Sequence, residues 1–349
     1  MIVLSLFDGI SCGRVALERA GIPISQYYAS EIDKYAIQIA QKNYPTTVQL
    51  GDINNWENWN IPLPDLIMGG SPCQGFSFAG KQLAFDDPRS KLFFKFVEIV
   101  NYYKPKYFIL ENVRMKKEFL NIISNHLGVE PICINSSLVS AQNRIRYYWT
   151  NIPNISQPTD THIYLKDIIE HGVCDRDKSY CIDANYWKGG NLKQYFEKHR
   201  RQIVYNHCDQ NGYLDKKGHQ SNNRIYTDRG KSPTLITPTG GGKQVKVLHT
   251  SERGRRLTPD GTKRDDKCGK IVRGYEIRPD GKTCALTTVQ KDNYLTEDYV
   301  IRKLTPMECE RLQTLPDNYT LGISTTQRYR ALGNAWTVDV VAHILSYLS

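Results

Sequence analysis

Residues 65–80 read DLIMGGSPCQGFSFAG and pass from an apolar run into a polar, glycine-rich stretch. The apolar run 66–68 predicts a short buried strand. The glycines after it let the backbone turn sharply and approach a ligand closely. One cysteine, Cys73, stands on this loop, where α/β proteins often carry a nucleophile. The loop alone leaves two interpretations of Cys73 open: a nucleophile, or a small buried residue, as most free cysteines are.

Around this loop, residues 1–155 alternate short apolar runs with helical patterns. Such alternation predicts an α/β domain built on a largely parallel sheet. Because ligands of such sheets bind at the carboxyl ends of the strands, polar residues at those ends are candidates for a site. The predicted strands are 2–7, 27–31, 48–52, 66–68, 106–110, 132–139 and 146–150, and the predicted helices are 14–20, 34–43, 92–102 and the tail 333–348.

Four consecutive strand ends carry residues that suit a nucleoside cofactor. Gly9 and Gly13 follow the first strand and can let a ligand approach the backbone. Glu31 follows the second strand and can accept hydrogen bonds from ribose hydroxyls, and Asp52 after the third could accept one from an adenine amino group. Each residue taken singly could be an ordinary polar strand end. Together they predict a nucleoside-cofactor site beside Cys73.

Composition narrows the class of protein. The chain has 349 residues, which is enough for one large and one smaller domain. No apolar run approaches the ~20 residues of a membrane span, and the first strand is too short for a signal peptide. Nine cysteines without CxxC pairs favour a reducing compartment over a disulfide framework. The cysteines and histidines of 171–208 fit no zinc spacing, so we expect no metal site.

The positive charge is concentrated in one segment. Residues 185–282 contain 22 Lys and Arg against 10 Asp and Glu, and the whole chain has a net charge of +10. The same segment is rich in Gly, Asn and Tyr and lacks helical periodicity after about residue 200, which favours a small β-rich domain. A concentrated basic surface is typical of polyanion binding, although a merely soluble, Lys-rich surface would have the same composition.

Nine short motifs, in this order, resemble those of the cytosine-5 DNA methyltransferases, of the kind found in bacteria and phage. A single PCQ is a weak signal, but the ordered set is specific and extends over roughly 1–172 and 303–349. The motifs are FDGISCG at 7–13, EID at 31–33, GDI at 51–53, SPCQGFS at 71–77, RSKLFF at 89–94, ENV at 111–113, QNRIR at 142–146, RKLTPMEC at 302–309 and GNA at 333–335.

The resemblance implies a role for each reacting group. A thiolate that adds to C6 of cytosine makes C5 nucleophilic toward the methyl group of S-adenosylmethionine, and Cys73 matches the family's nucleophile. Glu111 matches the acid near N3, and a carboxyl in a closed pocket can be tuned to donate a proton. Arg146 matches the contact to the cytosine O2, with Arg144 as its supporting partner. Because C6 is inaccessible within a duplex, the base must flip out.

The resemblance also implies a cofactor site for S-adenosylmethionine. This chain departs from the family pattern at Ser5, where many members have Asp, and at Asp8, where many have a small residue. The contact to the cofactor's amino group is therefore the one that this sequence alters most. The cofactor residues implied are Phe7, Asp8, Gly9, Ile10, Ser11, Cys12, Glu31, Ile32, Asp52, Ile53, Pro72, Leu92, Asn334 and Trp336.

The implied fold is that of the S-adenosylmethionine-dependent methyltransferases, a Rossmann-like mixed sheet with a second, smaller β-rich target-recognition domain. Expected boundaries are 1–172 with 332–349 for the catalytic domain, 173–303 for target recognition and 304–331 for a connecting hinge. Residues 76–89 match the loop that closes over the flipped base. The expected DNA-binding residues are Gln74, Ser77, Arg89, Arg224, Arg229, Arg253, Arg255, Arg256 and Arg273.

We therefore expect a sequence-specific DNA cytosine-5 methyltransferase that acts as a monomer on double-stranded DNA in the cytoplasm of a bacterial or phage-infected cell. A cognate restriction endonuclease, where one exists, would act separately. Two alternatives stay open: a tRNA cytosine-5 methyltransferase on the same fold, and a non-catalytic DNA-binding protein. A comparison of methyl transfer to DNA with methyl transfer to tRNA tests the first alternative. Methyl transfer to either nucleic acid would exclude the second.

Overall fold

The structure is a computed structural model that describes residues 1–71, 91–189, 192–207, 212–213, 224–225, 249–256, 271–277, 294–295 and 299–348. The chain divides into two compact units. The first comprises Met1–Glu170, Asp175–Lys188 and Leu304–Ser349, and the second comprises His171–Cys174 and Gly189–Lys303. The predicted connector 304–331 thus groups with the first unit, and its role as a hinge stays a prediction.

The first unit is organised around a mixed sheet of seven strands. Its strands and two short flanking ones are β1 (Ile2–Leu6), β2 (Gln26–Ser30), β3 (Val48–Gln49), β4 (Leu66–Gly69), β5 (Tyr107–Val113), β6 (Ile132–Asn135), β7 (Gln142–Asn143), β8 (Ile145–Thr150) and β9 (Ser179–Tyr180). The sheet order is β3-β2-β1-β4-β5-β8-β6. Strands β1 to β5 are parallel, and β8 runs antiparallel to both β5 and β6. The carboxyl ends of β1 to β5 therefore share one edge.

Helices follow most of these strands, as the alternating pattern predicts. Among the described residues they are α1 (Cys12–Arg19), α2 (Lys34–Asn43), α3 (Lys91–Tyr103), α4 (Lys117–Leu127), α5 (Leu165–Ile168), α6 (Leu192–Phe196), α7 (Pro306–Leu312), α8 (Thr325–Asn334) and α9 (Val338–Leu345). In α3 the buried side chains Phe93, Phe96 and Val97 recur at helical spacing. They pack with Leu4, Leu6 and Ile67 of the sheet in one apolar core.

Two predicted strands are longer than the observed ones, each because a polar side chain starts a turn. After β3, Gly51 takes a positive φ of 75°, and the Asp52 side chain accepts a hydrogen bond from the Asn54 N–H at the start of a 3-10 helix, Ile53–Asn58. After β6, the Asn135 side chain accepts from the Ser137 N–H and starts a second 3-10 turn. Side chains of this type compete with strand pairing for the backbone.

The tail holds a helix as predicted, but the predicted start at residue 333 is wrong. Gly333 lies inside α8, which ends at Asn334, and a separate helix α9 begins at Val338. Helix α9 packs on α1, where Arg19 Nη1 and Asp339 Oδ1 form an ion pair at 2.5 Å. Helix α7 begins with a capping box between Thr305 and Glu308.

Gly333 permits a close contact between the backbone of α8 and the backbone of residues 183–184. A Cβ built on Gly333 would stand 2.2 Å from the carbonyl carbon of Asp183 and 2.3 Å from the nitrogen of Ala184. Real Cβ atoms do not approach backbone this closely, because a backbone neighbour cannot rotate aside as a side chain can. Position 333 therefore requires glycine for packing rather than for a turn.

We expect Gly333→Ala to destabilise the protein by about 1–3 kcal/mol, because either α8 or residues 183–184 must move. In a helix interior, alanine is normally more favourable than glycine by about 1 kcal/mol. A loss of stability in Gly333→Ala would therefore indicate the packing clash rather than helix propensity. Denaturant unfolding followed by circular dichroism measures it. Thr326→Ala, in the exposed first turn of the same helix, is the control. Equal or higher stability of Gly333→Ala would contradict the packing argument.

The described strands of the second unit are antiparallel where they pair. They are β10 (Ile203–His207), β11 (Gly212–Tyr213), β12 (Arg224–Ile225), β13 (His249–Arg256), β14 (Ile271–Ile277), β15 (Tyr294–Leu295) and β16 (Tyr299–Lys303). Strand β10 pairs with β16, β11 with β12, and β13 with both β14 and β15. No helix in the described part of the chain is long and apolar enough to cross a membrane.

Candidate active site

A cavity of about 430 Å³ lies in the first unit, at the edge where β1, β2, β4 and β5 end. This volume falls within the range of small-molecule pockets, roughly 300–1,000 Å³. Predicted residues from seven of the nine motifs, together with Trp336 next to the last motif, line it. They are Phe7, Asp8, Gly9, Ile10, Cys12, Glu31, Ile32, Asp52, Ile53, Leu92, Glu111, Arg144, Arg146, Asn334 and Trp336.

The turn after β1 is held in an uncommon backbone conformation. Phe7, Gly9 and Ser11 have positive φ angles of 56°, 59° and 61°. The turn is fixed by the buried Asp8, whose carboxylate accepts hydrogen bonds from Ser11 Oγ at 2.5 Å and from the Tyr27 hydroxyl at 2.8 Å. Two non-glycine residues with positive φ require such support. Ser11 does this from behind the turn, so it contributes to the cavity through Asp8 rather than as a lining residue.

Burial raises the pKa of Asp8, and the hydrogen bonds from Ser11 and Tyr27 only partly offset this. The protonated form of Asp8 is thus favoured more in the folded protein than in the unfolded chain. Because the same carboxyl lines the cavity, a cation bound there would favour the ionised form. The departure from the family pattern at positions 5 and 8 therefore places one titratable carboxyl in the cavity wall, while Ser5 lies beside it as a neutral lining residue.

This shift predicts a pH dependence of stability. Since the folded pKa of Asp8 lies above the ordinary value of 3.8, its contribution to stability is present at low pH and is lost as the pH rises through the folded pKa. Asp8→Asn removes the titration and keeps an acceptor for Tyr27. We expect the stability of Asp8→Asn relative to wild type to rise between about pH 4 and pH 8. Urea unfolding at both pH values measures it, and a constant difference would refute the assignment.

The Glu31 carboxylate is fixed by three backbone N–H groups. Its Oε2 accepts from Gly9 at 2.8 Å, and its Oε1 accepts from Ile32 at 2.7 Å and Asp33 at 2.8 Å. These bonds tie the end of β2 to the turn after β1 and orient the carboxylate at the cavity wall. Asp52 Oδ1 is likewise held by the backbone and side-chain amides of Asn54 at 2.9 Å. Both acids are oriented in advance to accept further hydrogen bonds.

Apolar groups line the cavity beside these acids. Ile53 is buried, whereas Ile32 is 73% exposed at the edge of the cavity. Burial raises the pKa of the Cys12 thiol to about 12, so this cavity thiol is neutral at physiological pH and is a poor nucleophile. Cys12 is therefore a cavity-lining cysteine that is poorly suited to act as the nucleophile.

At the other end of the cavity, Glu111 forms an ion pair with Arg146, with Nε and Oε1 2.8 Å apart. The two residues are diagonal neighbours on β5 and β8, because Glu111 pairs with Tyr148 and Val113 pairs with Arg146. Both side chains are largely buried, with relative exposures of 11% and 13%. The acid and the guanidinium predicted to contact the base are therefore adjacent and face the same cavity.

The end of β4 approaches this pair closely. A Cβ built on Gly70 would stand 3.0 Å from Glu111 Oε2 and 2.8 Å from Trp336 Nε1. Next to it, Ser71 Oγ accepts a hydrogen bond from Asn112 Nδ2 at 3.1 Å. These contacts fix the backbone two residues before Cys73 against the strand that carries Glu111.

Arg144 is buried and connects three chain segments. Its guanidinium donates to the carbonyl oxygens of Ile182 at 3.1 Å and Ala335 at 2.8 Å and to the Cys181 sulfur at 3.3 Å. Burial alone would raise the pKa of Cys181, but Arg144 and Arg146 outweigh it and lower the pKa. Arg144 is therefore bonded to the protein itself, which fits the supporting role predicted for it.

The structure does not describe the side chains of the remaining predicted site residues. Pro72, Cys73, Gln74, Ser77, Arg89 and Arg229 lie outside the described residues. Five predicted DNA-binding arginines lie on second-unit strands, for which the backbone alone is described. Arg224 is in β12, Arg273 is in β14, and Arg253, Arg255 and Arg256 are in β13. Their DNA-binding role stays a prediction.

Sequence reasoning missed one face of α8. Gln327, Arg330 and Ala331 line the cavity together with Asn334, at the i, i+3, i+4, i+7 spacing of a single helix face. Arg330 Nη2 also lies 3.4 Å from Oδ2 of Asp33, another residue that lines the cavity. A polar helix face usually faces solvent, so only the spacing relative to Asn334 could have indicated these residues.

Comparisons with known proteins agree on one family. The family model described as C-5 cytosine-specific DNA methylase matches residues 1–349. The orphan methyltransferase M.SPRI of Bacillus phage SPR is 28% identical, over 99% of this chain and 97% of its own. The type II methyltransferase M.HhaI of Haemophilus parahaemolyticus is 28% identical, over 98% of this chain and 92% of its own.

Solved structures show the same fold. A methyltransferase of Entamoeba histolytica, EhMeth, superposes with a TM-score of 0.59 at 17% identity, covering 99% of this chain and 96% of its own. A putative DNA modification methyltransferase encoded within an Escherichia coli prophage has a TM-score of 0.53 at 22% identity, covering 99% and 97%. At these identities the similarity establishes the fold alone.

Proposed function

Because the chain belongs to the C-5 cytosine-specific DNA methylases, it transfers the methyl group of S-adenosylmethionine to C5 of cytosine in DNA, and we propose that Cys73, Glu111 and Arg146 carry out this transfer. The observation that supports the assignment best is the single cavity shared by two sets of residues. Glu31 and Asp52 line it with the turn after β1, and Glu111 and Arg146 line it with Gly70. A nucleoside cofactor and a nucleobase can therefore meet there.

The cavity fits S-adenosylmethionine in its chemistry. Glu31 would accept hydrogen bonds from the ribose hydroxyls and Asp52 would accept one from the adenine amino group. Phe7, Ile53 and Leu92 would pack on the adenine. Asp8 is the one buried carboxyl in the turn after β1, so we assign to it the cofactor's amino group. When bound, the cofactor supplies an electrophilic methyl group on a sulfonium.

The protein's own groups prepare the base for that methyl group. The Cys73 thiolate adds to C6 through its sulfur, and the electrons of the C5–C6 double bond shift toward N3. Glu111 gives a proton to N3, while Arg146 holds the O2. C5 thereby becomes nucleophilic and can take up the methyl group. The proton on N3 returns to Glu111 as C5 forms its bond to the methyl group, and S-adenosylhomocysteine is the other product. Loss of the C5 proton to solvent, with departure of the Cys73 sulfur from C6 as a thiolate, then restores the aromatic ring.

DNA must present the cytosine outside the helix, since neither C6 nor N3 is accessible in a base pair. We assign the strand-rich second unit, with the basic segment 185–282, to target recognition, and the predicted arginines to phosphate or base contacts there. Relatives named as type II and orphan methyltransferases support sequence-specific methylation. We further propose that the chain acts as a monomer, and that an endonuclease of the same specificity, where present, is a separate protein.

Methyl transfer from radiolabelled S-adenosylmethionine to duplex DNA and to tRNA tests this function. We expect incorporation into DNA alone, and bisulfite sequencing of plasmid from expressing cells to place the modified cytosines in one short sequence. Incorporation into tRNA alone would replace the proposal with the RNA alternative. Binding without incorporation into either nucleic acid would leave a non-catalytic DNA-binding protein.

A further inference from the structure

Three cations follow β5 without interruption by an acidic residue. Arg114, Lys116 and Lys117 are exposed, while Met115 between them is 3% exposed and belongs to the apolar core. The buried methionine fixes the segment to the core and leaves the charged side chains on the outside. The structure describes this segment together with the helix α4 that it leads into.

The position of the segment relative to the active site is fixed by strand pairing. Val113 pairs with Arg146 in the register of β5 and β8, and both residues line the active-site cavity. Arg114 is therefore the residue that directly follows β5 and the cavity-lining Val113. The three cations follow the end of β5 that lies at the cavity, rather than its opposite end.

Local folding does not account for these charges. Lys116 is the N-cap of α4, has no capping hydrogen bond from its side chain, and precedes Lys117 in the first turn. Cations at a helix N-terminus are unfavourable, because the N–H groups there already carry partial positive charge. Among the described residues, Arg114 and Lys117 form no ion pair, and Lys116 forms one weak contact with Glu118, at 3.8 Å. Residues that oppose local stability in this way are expected at functional surfaces.

We infer that Arg114, Lys116 and Lys117 form a phosphate-binding rim that holds the DNA backbone beside the flipped cytosine. This inference rests on the proposed function, because it requires that DNA bind at this cavity. The rim belongs to the catalytic unit and is separate from the basic segment 185–282. Contacts to phosphates position the duplex and carry no sequence information, so the rim would act on every DNA sequence alike.

Salt dependence of DNA binding tests the rim. Each phosphate contact contributes about −0.9 to the slope of log K against log salt. For Arg114→Gln/Lys116→Gln/Lys117→Gln we expect a slope shallower than wild type by roughly 2–3, equally on methylatable and unrelated duplexes. Fluorescence anisotropy with labelled duplex DNA measures it. Glutamine removes the charge and keeps a long side chain, so loss of packing is limited.

The matched control is Lys104→Gln/Lys106→Gln, which removes two exposed cations at the opposite end of the same strand. We expect its slope to equal that of wild type. An unchanged slope in the triple variant would contradict the phosphate-binding rim. A slope that becomes equally shallow in the control would contradict it as well. Unfolding midpoints and S-adenosylmethionine affinity of the triple variant should match wild type; a loss of both would attribute the effect to misfolding and also reject the rim.

The outcome is separable from that for the proposed function. A wild-type protein that methylates DNA while the triple variant keeps its full salt slope would reject the rim alone. A wild-type protein that neither binds nor methylates DNA would reject both. Reduced affinity of the triple variant on tRNA, with DNA binding unaffected, would assign the rim to RNA and contradict the inference.

Discussion

Replacing Cys73 with alanine should abolish methyl transfer, with a fall in kcat on the order of 10⁴ or more, as is typical when a nucleophile is removed. The reason is chemical, since C5 of cytosine is not nucleophilic until a thiolate has added at C6. The same variant should lose the denaturation-resistant complex that wild type forms with 5-fluorocytosine DNA and S-adenosylmethionine. Fluorine at C5 cannot leave as a proton, so the complex persists and can be counted on a denaturing gel.

The control for this experiment is a second cysteine. Cys133→Ser changes an exposed thiol on β6 and should keep both activity and complex formation. Cys73→Ser should resemble Cys73→Ala, because a hydroxyl is far less nucleophilic than a thiolate at neutral pH. A complex of undiminished yield from Cys73→Ala would remove Cys73 from the mechanism and return it to the alternative of a small buried residue.

The second large effect is expected at Glu111. Glu111→Gln keeps the size of the side chain and a hydrogen-bond acceptor, but it cannot give a proton to N3. Loss of a general acid typically costs about 10²–10⁴ in rate, so kcat should fall by that factor while the affinity for S-adenosylmethionine changes little. Single-turnover methyl transfer with excess enzyme measures the chemical step apart from product release.

The ion pair with Arg146 makes this prediction sharper. If Glu111 served chiefly to orient Arg146, then Arg146→Gln and Glu111→Gln would each cost as much as the double variant. If Glu111 acts on N3 and Arg146 on O2, the double variant should be slower than either single variant. Glu118→Gln, on the exposed surface of α4, is the control and should leave the rate unchanged. A Glu111→Gln enzyme with wild-type single-turnover rate would exclude the acid role.

Much of the sheet could be predicted from the sequence, because short apolar runs alternate with helical patterns and each run ends at a polar residue. Strand ends such as Glu31 and Glu111 then converge, since the carboxyl ends of parallel strands meet at one edge. The errors in strand length occurred where a side chain redirected the backbone. Asp52 and Asn135 start turns that shorten two strands, and an apolar pattern carries no information about such hydrogen bonds.

The rest of the cavity could not be predicted, because it depends on contacts between segments far apart in the chain. The face of α8 that bears Arg330 is polar, and polarity alone does not separate a cavity wall from a solvated surface. The bonds of Arg144 to Ile182 and Ala335 join segments with no local pattern in common. The match to QNRIR indicated that Arg144 is important, but only the fold shows that it holds the cavity wall together.

The packing of α9 on α1 has a consequence for the order of synthesis. Arg19 and Asp339 are 320 residues apart in the chain, an interval that a ribosome needs roughly 15–60 s to complete at 5–20 residues per second. Throughout that interval the turn after β1 exists without Asn334 and Trp336, which close the cavity. The cavity wall is therefore incomplete in the nascent chain. If the proposed cofactor site is right, we expect S-adenosylmethionine binding, and with it methylation, to begin only after residues 325–345 have emerged.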